Sequence, residues 1–171
     1  MGQFHSKEKK RMKALTFDYD NLQGIASIYA IPVSSYLRIT PDYVDQTLLL
    51  ELIKREMIIT IPVYAGDSFL FSETQSLEDG GDVWEVSITG VIPKRCPLNE
   101  KHMNTLERGD WLVLSQDCNG TVTLSGTTDV PLKFTHSRTT GSSSELNGSH
   151  FTFSAKEPDP SLIVSNDIFN I

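Results

Sequence analysis

The strongest constraint on the fold is a pair of apolar runs that meet at Asn119-Gly120. The runs are WLVLSQD (111–117) and TVTLSG (121–126), and both are rich in the β-branched and aromatic residues that favour strands. Asn-Gly is a strong hairpin signal because both residues adopt positive φ at low cost. The sequence therefore predicts a β-hairpin over residues 111–126.

Similar short runs fill most of the remaining chain and predict strands at 24–33, 35–40, 57–64, 68–73, 82–92, 131–138 and 150–155. The first two, interrupted by Pro32 and stopped by Pro41, are typical of an edge strand or a bent pair. An acidic, glycine-containing turn at 76–82 joins two of the others. Eight or nine short antiparallel strands predict a mainly β fold, a β-sandwich or barrel.

Two segments predict helices. Asn99 is a candidate N-cap, Met103 and Leu106 lie three residues apart, and Arg108 precedes a glycine stop, which together predict a short helix over 99–108. In the segment 44–56, Leu48, Leu49, Leu52 and Ile53 fall at helical spacing and predict a second helix, although the flanking sequence favours strands.

Charge is unevenly distributed along the 171 residues, whose net charge is −7. Residues 1–13 contain five basic residues against one acidic residue, a balance of +4, so the rest of the chain carries −11. We predict a basic flexible arm over 1–13, one β-rich domain over 14–156 and a C-terminal tail over 157–171. An acidic body repels phosphate, so we expect no sequence-specific nucleic-acid binding.

The sequence predicts no catalytic residue, no cofactor and no metal site. Ser34 and Ser35 lie in no nucleophile elbow, and glycine-rich phosphate loops are absent. No pair of Cys or His has zinc-ligand spacing, and the histidines are scattered at positions 5, 102, 136 and 150. Cys96 and Cys118 are expected to be reduced thiols, because no secretion signal is present.

No run reaches the roughly 18 apolar residues of a membrane-spanning helix, so no span is expected. Gly2 and Ser6 match the acceptor pattern for N-myristoylation, and the basic arm would supply the second membrane signal. A myristoylated, membrane-associated protein is therefore one alternative function.

The segment 109–155 resembles the C-terminal half of small β-rich proteins encoded among the structural genes of tailed phages and prophages of gut bacteria. The resemblance is carried by the hairpin turn at 117–121, Ser125-Gly126-Thr127, Pro131-Leu132-Lys133-Phe134, the Ser- and Gly-rich loop, and Asn147-Gly148 before Phe151-Thr152-Phe153. It implies a tail-associated virion protein that is assembled in the host cytoplasm. Its partners would be copies of itself and other virion proteins.

The arm, the polar loop at 139–149 and the apolar tail suit a subunit of a symmetric homo-oligomer that catalyses no reaction. The candidate intersubunit contacts are Lys7, Lys9, Lys10, Arg11, Lys13, Ser142, Ser143, Ser144, Leu162, Ile163, Val164, Ile168 and Phe169. The rival interpretation is a carbohydrate-binding or adhesin-like β-sandwich, in which Tyr64, Trp84 or Trp111 would stack against a glycan.

Overall fold

A computed structural model describes residues 22–42, 47–61, 63, 69–93, 96–139 and 148–165. Apart from two single-turn 3-10 helices at Val33–Ser35 and Arg55–Met57, the regular structure of this part of the chain is eleven strands and one α-helix, α1 (Pro97–Glu107). The strands are β1 (Ile25–Pro32), β2 (Tyr36–Asp42), β3 (Thr47–Leu52), β4 (Ile59–Ile61), β5 (Leu70–Glu78), β6 (Gly81–Pro93), β7 (Trp111–Asp117), β8 (Val122–Ser125), β9 (Lys133–Thr139), β10 (Gly148–Glu157) and β11 (Leu162–Val164).

The strands form two sheets. The larger sheet has the order β2-β3-β11-β8-β7-β1-β4, and the smaller sheet has the order β5-β6-β10-β9. All pairs are antiparallel except β11 with β3, which is parallel. The fold is mainly β and sandwich-like, as the sequence predicts, with eleven strands rather than eight or nine.

The connection between β1 and β2 determines the shape of the larger sheet. The two strands are joined only by Val33–Ser35, yet four strands lie between them in the sheet. Five strand spacings in a flat sheet would separate them by about 24 Å. The four peptide steps from Pro32 to Tyr36 span at most about 14 Å. The sheet therefore curls until its two ends approach each other.

Curling gives the larger sheet two buried faces. One face packs on the smaller sheet through a cluster that includes Ile28, Val113 and the Phe134, Phe151 and Phe153 rings. The other face is the inside of the curl, where a separate cluster is formed by Ile31, Leu50, Leu112, Leu114, Val122, Leu124 and Val164. Residues 111–115 of β7 are all buried because alternate side chains enter the two clusters.

The prediction of a helix over 44–56 is wrong. Residues 47–52 form β3, a 3-10 turn follows at Arg55–Met57, and residues 44–46 lie outside the described part. Leu48, Leu50 and Leu52 contact the inside of the curl at the two-residue period of a strand. Leu49 on the other face hides this alternation because it is apolar as well, and so the sequence looks helical.

The two local predictions around β7 and α1 are confirmed. β7 and β8 form the predicted hairpin, in which the Asp117 carboxylate accepts hydrogen bonds from the backbone N–H groups of Asn119 and Thr121 at 2.9 and 2.8 Å. Met103 and Leu106 are the buried residues of α1. The helix begins earlier than predicted: Cys96 is its N-cap and Pro97 its first residue, so Asn99 does not cap it.

Two further expectations need correction. β1 is not an edge strand, because it pairs with both β4 and β7, and it does not pair with β2 in the described residues. The segment that follows residue 156 is not all tail: β11 lies between β3 and β8, and the Ser165 N–H donates to the Leu48 carbonyl at 2.8 Å. The folded body therefore extends to residue 165.

Helix α1 lies between an edge of each sheet. On the smaller sheet, Arg138 of β9 contacts Glu100 at 2.8 Å and His136 contacts Glu107 at 3.1 Å. The Trp111 indole N–H donates to the Leu106 carbonyl at 2.8 Å, which ties α1 to the larger sheet. The helix thus covers one open side of the sandwich and faces the edge strand β4.

Gly126 provides a test of this packing. Its φ is +88°, and a Cβ there would lie 2.6 Å from Leu132 Cδ1 and 3.1 Å from the Trp111 carbonyl oxygen. We expect Gly126→Ala to lower the free energy of unfolding by about 2–4 kcal/mol, through left-handed strain and overpacking. Urea unfolding followed by Trp fluorescence measures this change.

The matched control is Gly80→Ala in the exposed β5–β6 turn, where a Cβ meets no atom within 4 Å. We expect its effect to stay within about 0.5 kcal/mol. Equal effects of the two variants would contradict the packing described around Gly126.

Candidate functional site

The predicted contact residues fall largely outside the described part of the chain. This holds for the five basic residues of the arm, for Ser142, Ser143 and Ser144 of the polar loop, and for Ile168 and Phe169. The structure brings together Leu162, Ile163 and Val164 in β11. Ile163 is 58% exposed and available to a partner, whereas Val164 is 2% exposed and belongs to the cluster inside the curl. Val164 is therefore a core residue.

The aromatic platform of the carbohydrate-binding alternative is not present as expected. Trp111 is buried, and its indole N–H is occupied by the Leu106 carbonyl. Trp84 is only partly exposed, and Tyr64 lies outside the described residues. Trp111 therefore cannot stack against a glycan.

The strand register separates the residues that would be needed for catalysis. His150 lies opposite Ser137 in the β9–β10 ladder, and His136 lies opposite Phe151, so the two histidines are on opposite faces of the sheet. Cys96 and Cys118 are both free thiols. Within the described ranges, no three His, Cys, Asp or Glu side chains are grouped in a way that could hold a metal ion.

Among the described residues, the main concave surface is a groove between β4 and α1. It consists of two adjoining cavities of about 930 and 300 Å³, which share Met57, Ile59 and His102. The side of the groove next to β4 is mainly apolar. Met57, which lies on that side, is 46% exposed. The α1 side carries polar residues, among them Lys101 and Arg108.

The groove runs beside an open sheet edge. β4 pairs with β1 through Ile28↔Ile61, Tyr29↔Thr60 and Ala30↔Ile59, and in the described part of the chain no strand pairs with its other side. The outward N–H and C=O groups of such an edge are a template for pairing with another chain. An edge and an apolar groove side by side can accept an extended segment and its side chains.

The tip of the β5–β6 hairpin forms an acidic end of the molecule. Lys156 of β10 lies between Glu85 and Glu78, with Nζ to carboxylate distances of 2.9 and 3.0 Å. The hydrogen bonds to Glu85 and then to Glu78 raise the pKa of the Lys156 ammonium. Asp79 and Asp82 lie beside this triad at the turn and keep this end negative.

A buried carboxyl lies where the chain crosses from the smaller to the larger sheet. Glu157 is 3% exposed, and its carboxyl oxygen accepts a hydrogen bond from the Gly126 N–H at 3.0 Å. Nearby, Glu73 accepts a hydrogen bond from the Ser161 N–H at 2.7 Å. Burial raises the pKa of Glu157, Glu73 raises it further, and the Gly126 N–H opposes both effects.

This carboxyl predicts a specific pH dependence. The native state holds the Glu157 proton more tightly than the unfolded chain, whose pKa is near 4.5. The stabilising effect is therefore complete below that value and is lost as the pH rises through the raised pKa. We expect Glu157→Gln to fold and to lose this part of the decline in stability as the pH rises from 4.5 towards neutral.

The measurement is the urea midpoint of the two proteins across that pH range. Glu56→Gln, at an exposed position, is the control and should keep the wild-type profile. A Glu157→Gln profile parallel to that of the wild type would rule out the predicted role of the buried carboxyl.

Sequence reasoning missed both the groove and Glu157. The groove combines residues near 57–61 with residues of α1 some forty positions later, and no local pattern indicates that they meet. Glu157 stands between Lys156 and Pro158 in a segment of charged residues and prolines, which looks solvated. Only the crossover between the sheets places it inside.

Comparisons with known proteins do not identify the chain. No protein-family model matches it, and neither the curated proteins nor the solved structures give a match. Among the described residues, no helix has the length and apolar character needed to cross a membrane.

Proposed function

We propose that this protein is a non-enzymatic structural subunit of a phage virion, associated with the tail, and that it assembles as a symmetric homo-oligomer. The observation that carries the proposal is the open edge of β4 beside an apolar groove. The phage setting rests on the resemblance of residues 109–155 to virion proteins.

The other three sheet edges carry charges, an irregularity or a covering helix that oppose strand addition, whereas β4 is limited only by its short length of three residues. β2 has a register irregularity and an Arg38–Glu51 ion pair at 2.9 Å. β5 carries Glu73 and Glu78, and β9 is flanked by α1. Charged residues, irregularities and covering elements are the usual protection of edges. β4 has the sequence Ile-Thr-Ile, which contains neither charge nor proline.

The distribution of charge supports assembly as well. The arm at residues 1–13 has a balance of +4, and the body that it precedes is strongly acidic. Opposite charges on one chain attract between copies, and they favour encounter at low ionic strength. The acidic end around Glu78, Asp79, Asp82 and Glu85 offers such a surface in the folded body.

Assembly is tested by light scattering on the full chain after size-exclusion chromatography. We expect a discrete oligomer whose fraction falls as salt is raised from about 50 to 500 mM, because screening weakens contacts between exposed charges. Changing Lys7, Lys9, Lys10, Arg11 and Lys13 together to Gln should remove most of the salt dependence. Lys54→Gln, at an exposed position outside the arm, is the control.

A monomer at every concentration and salt would contradict the assembly proposal. Mass spectrometry of purified phage particles from the host that carries the gene tests the virion setting. The protein should be present in a fixed ratio to the tail proteins, and its absence from intact particles would reject that setting.

A further inference from the structure

We propose that the groove between β4 and α1 receives residues 14–21 of a second copy of this chain. The segment would lie as an added strand on the β4 edge, with the side chains of Leu15, Phe17 and Tyr19 in the groove. This inference rests on the proposed assembly and names the contact that drives it.

The sequence of the segment fits this role. Residues 14–20 read ALTFDYD, in which Leu15, Phe17 and Tyr19 alternate with Thr16, Asp18 and Asp20. Strict alternation of apolar and polar residues is the pattern of a strand with one face buried. The buried face of such a strand needs an apolar surface, and the β4 side of the groove supplies one.

The dimensions agree. In an extended strand, alternate side chains lie about 6.8 Å apart, so Leu15 to Tyr19 spans about 14 Å. The eleven residues of α1, which form one side of the groove, extend over about 16 Å. The three side chains therefore extend over about the length of the groove.

The charges are compatible with this placement. Asp18 and Asp20 alternate with the three apolar residues, so they stand on the face of the proposed strand that points away from the groove. No carboxylate of the segment is then buried against the apolar side of the groove.

The reach of the chain indicates a second copy rather than the same molecule. Leu22 is held at the β7–β8 turn, where its N–H donates to the Asn119 side chain at 2.7 Å and its carbonyl accepts from that side chain at 3.0 Å. β1 begins to pair with β4 at Ile28, which lies six residues after Leu22 and about 20 Å from it. The groove continues to Pro32, about 33 Å from Leu22.

The segment from Leu15 to Asn21 extends over at most about 24 Å. To lie on β4 of its own molecule, it would have to reverse direction, run about 20 Å along the strands and cross two strand spacings of about 5 Å each, a straight-line distance of about 22 Å to the level of Ile61. The full length of the segment is therefore used before the groove begins, so that only Leu15 could reach its near end, and Phe17 and Tyr19 could not enter it. A neighbouring copy has no such limit, because its segment can enter the groove from outside.

The test is photo-cross-linking in the full chain. Phe17→benzoylphenylalanine places a photoreactive group on the proposed buried face of the segment. The variant is prepared once at natural isotope abundance and once labelled with ¹⁵N. The two preparations are mixed and irradiated, and cross-linked peptides are identified by mass spectrometry. We expect cross-links between differently labelled chains, from residue 17 to Met57 or to residues of α1.

Thr16→benzoylphenylalanine is the matched control, because residue 16 lies on the opposite face of the proposed strand. It should give few cross-links to Met57. Cross-links from residue 17 within one label only would overturn the assignment to a second copy. Cross-links between differently labelled chains that map to another surface would contradict the assignment to the groove and would leave the proposed assembly intact.

A second measurement uses the groove itself. Met57→Glu places a charge on its apolar side, whereas Leu77→Glu changes a residue that is 83% exposed at the β5–β6 tip, away from the groove. We expect Met57→Glu to weaken assembly by about tenfold or more, as loss of a central apolar contact does, and Leu77→Glu to leave it unchanged. Unchanged assembly in Met57→Glu rejects the inference alone, whereas a wild-type protein that never assembles rejects the proposed function.

Discussion

The three-residue connection between β1 and β2 is the constraint on which the rest of the structure depends. It forces the larger sheet to curl, and the curl gives the molecule a second buried cluster besides the one between the sheets. β1 and β7 then have neighbours on both faces, so their sequences contain continuous apolar runs instead of an alternating pattern. The curl also leaves β4 alone at one end of the sheet, beside the helix that covers the open side of the sandwich.

The accuracy of prediction from the sequence follows from this arrangement. Alternation is clear in β6, β9 and β10, where one face packs on the core and the other faces outward, and these strands were predicted. It fails in β3, where Leu49 is apolar on the face that lies outside the curl. β11 has three residues and pairs in parallel with a strand more than a hundred residues earlier, so its place inside the sheet follows from long-range contacts alone.

The candidate site was less predictable than the fold for the same reason. The arm, loop and tail were inferred from composition, which identifies segments that do not form a core. The surface that could receive such a segment is built from β4 and α1, and their meeting depends on the contacts of Trp111 with Leu106 and of β9 with the helix. The sequence thus indicates segments that are candidates for an intersubunit contact, whereas the surface that could receive one is visible only in three dimensions.

The length of β4 determines what kind of contact its edge can make. Three residues offer few outward backbone groups, and each hydrogen bond contributes only about 1 kcal/mol net, so strand pairing alone would give a weak interface. Burial of large side chains in the adjoining groove contributes about 1.5–3 kcal/mol for each one. An edge of this kind therefore selects its partner by the side chains that fill the groove, while the backbone sets the direction and register. A short edge also limits indiscriminate pairing with other chains, which is compatible with the proposed contact between copies.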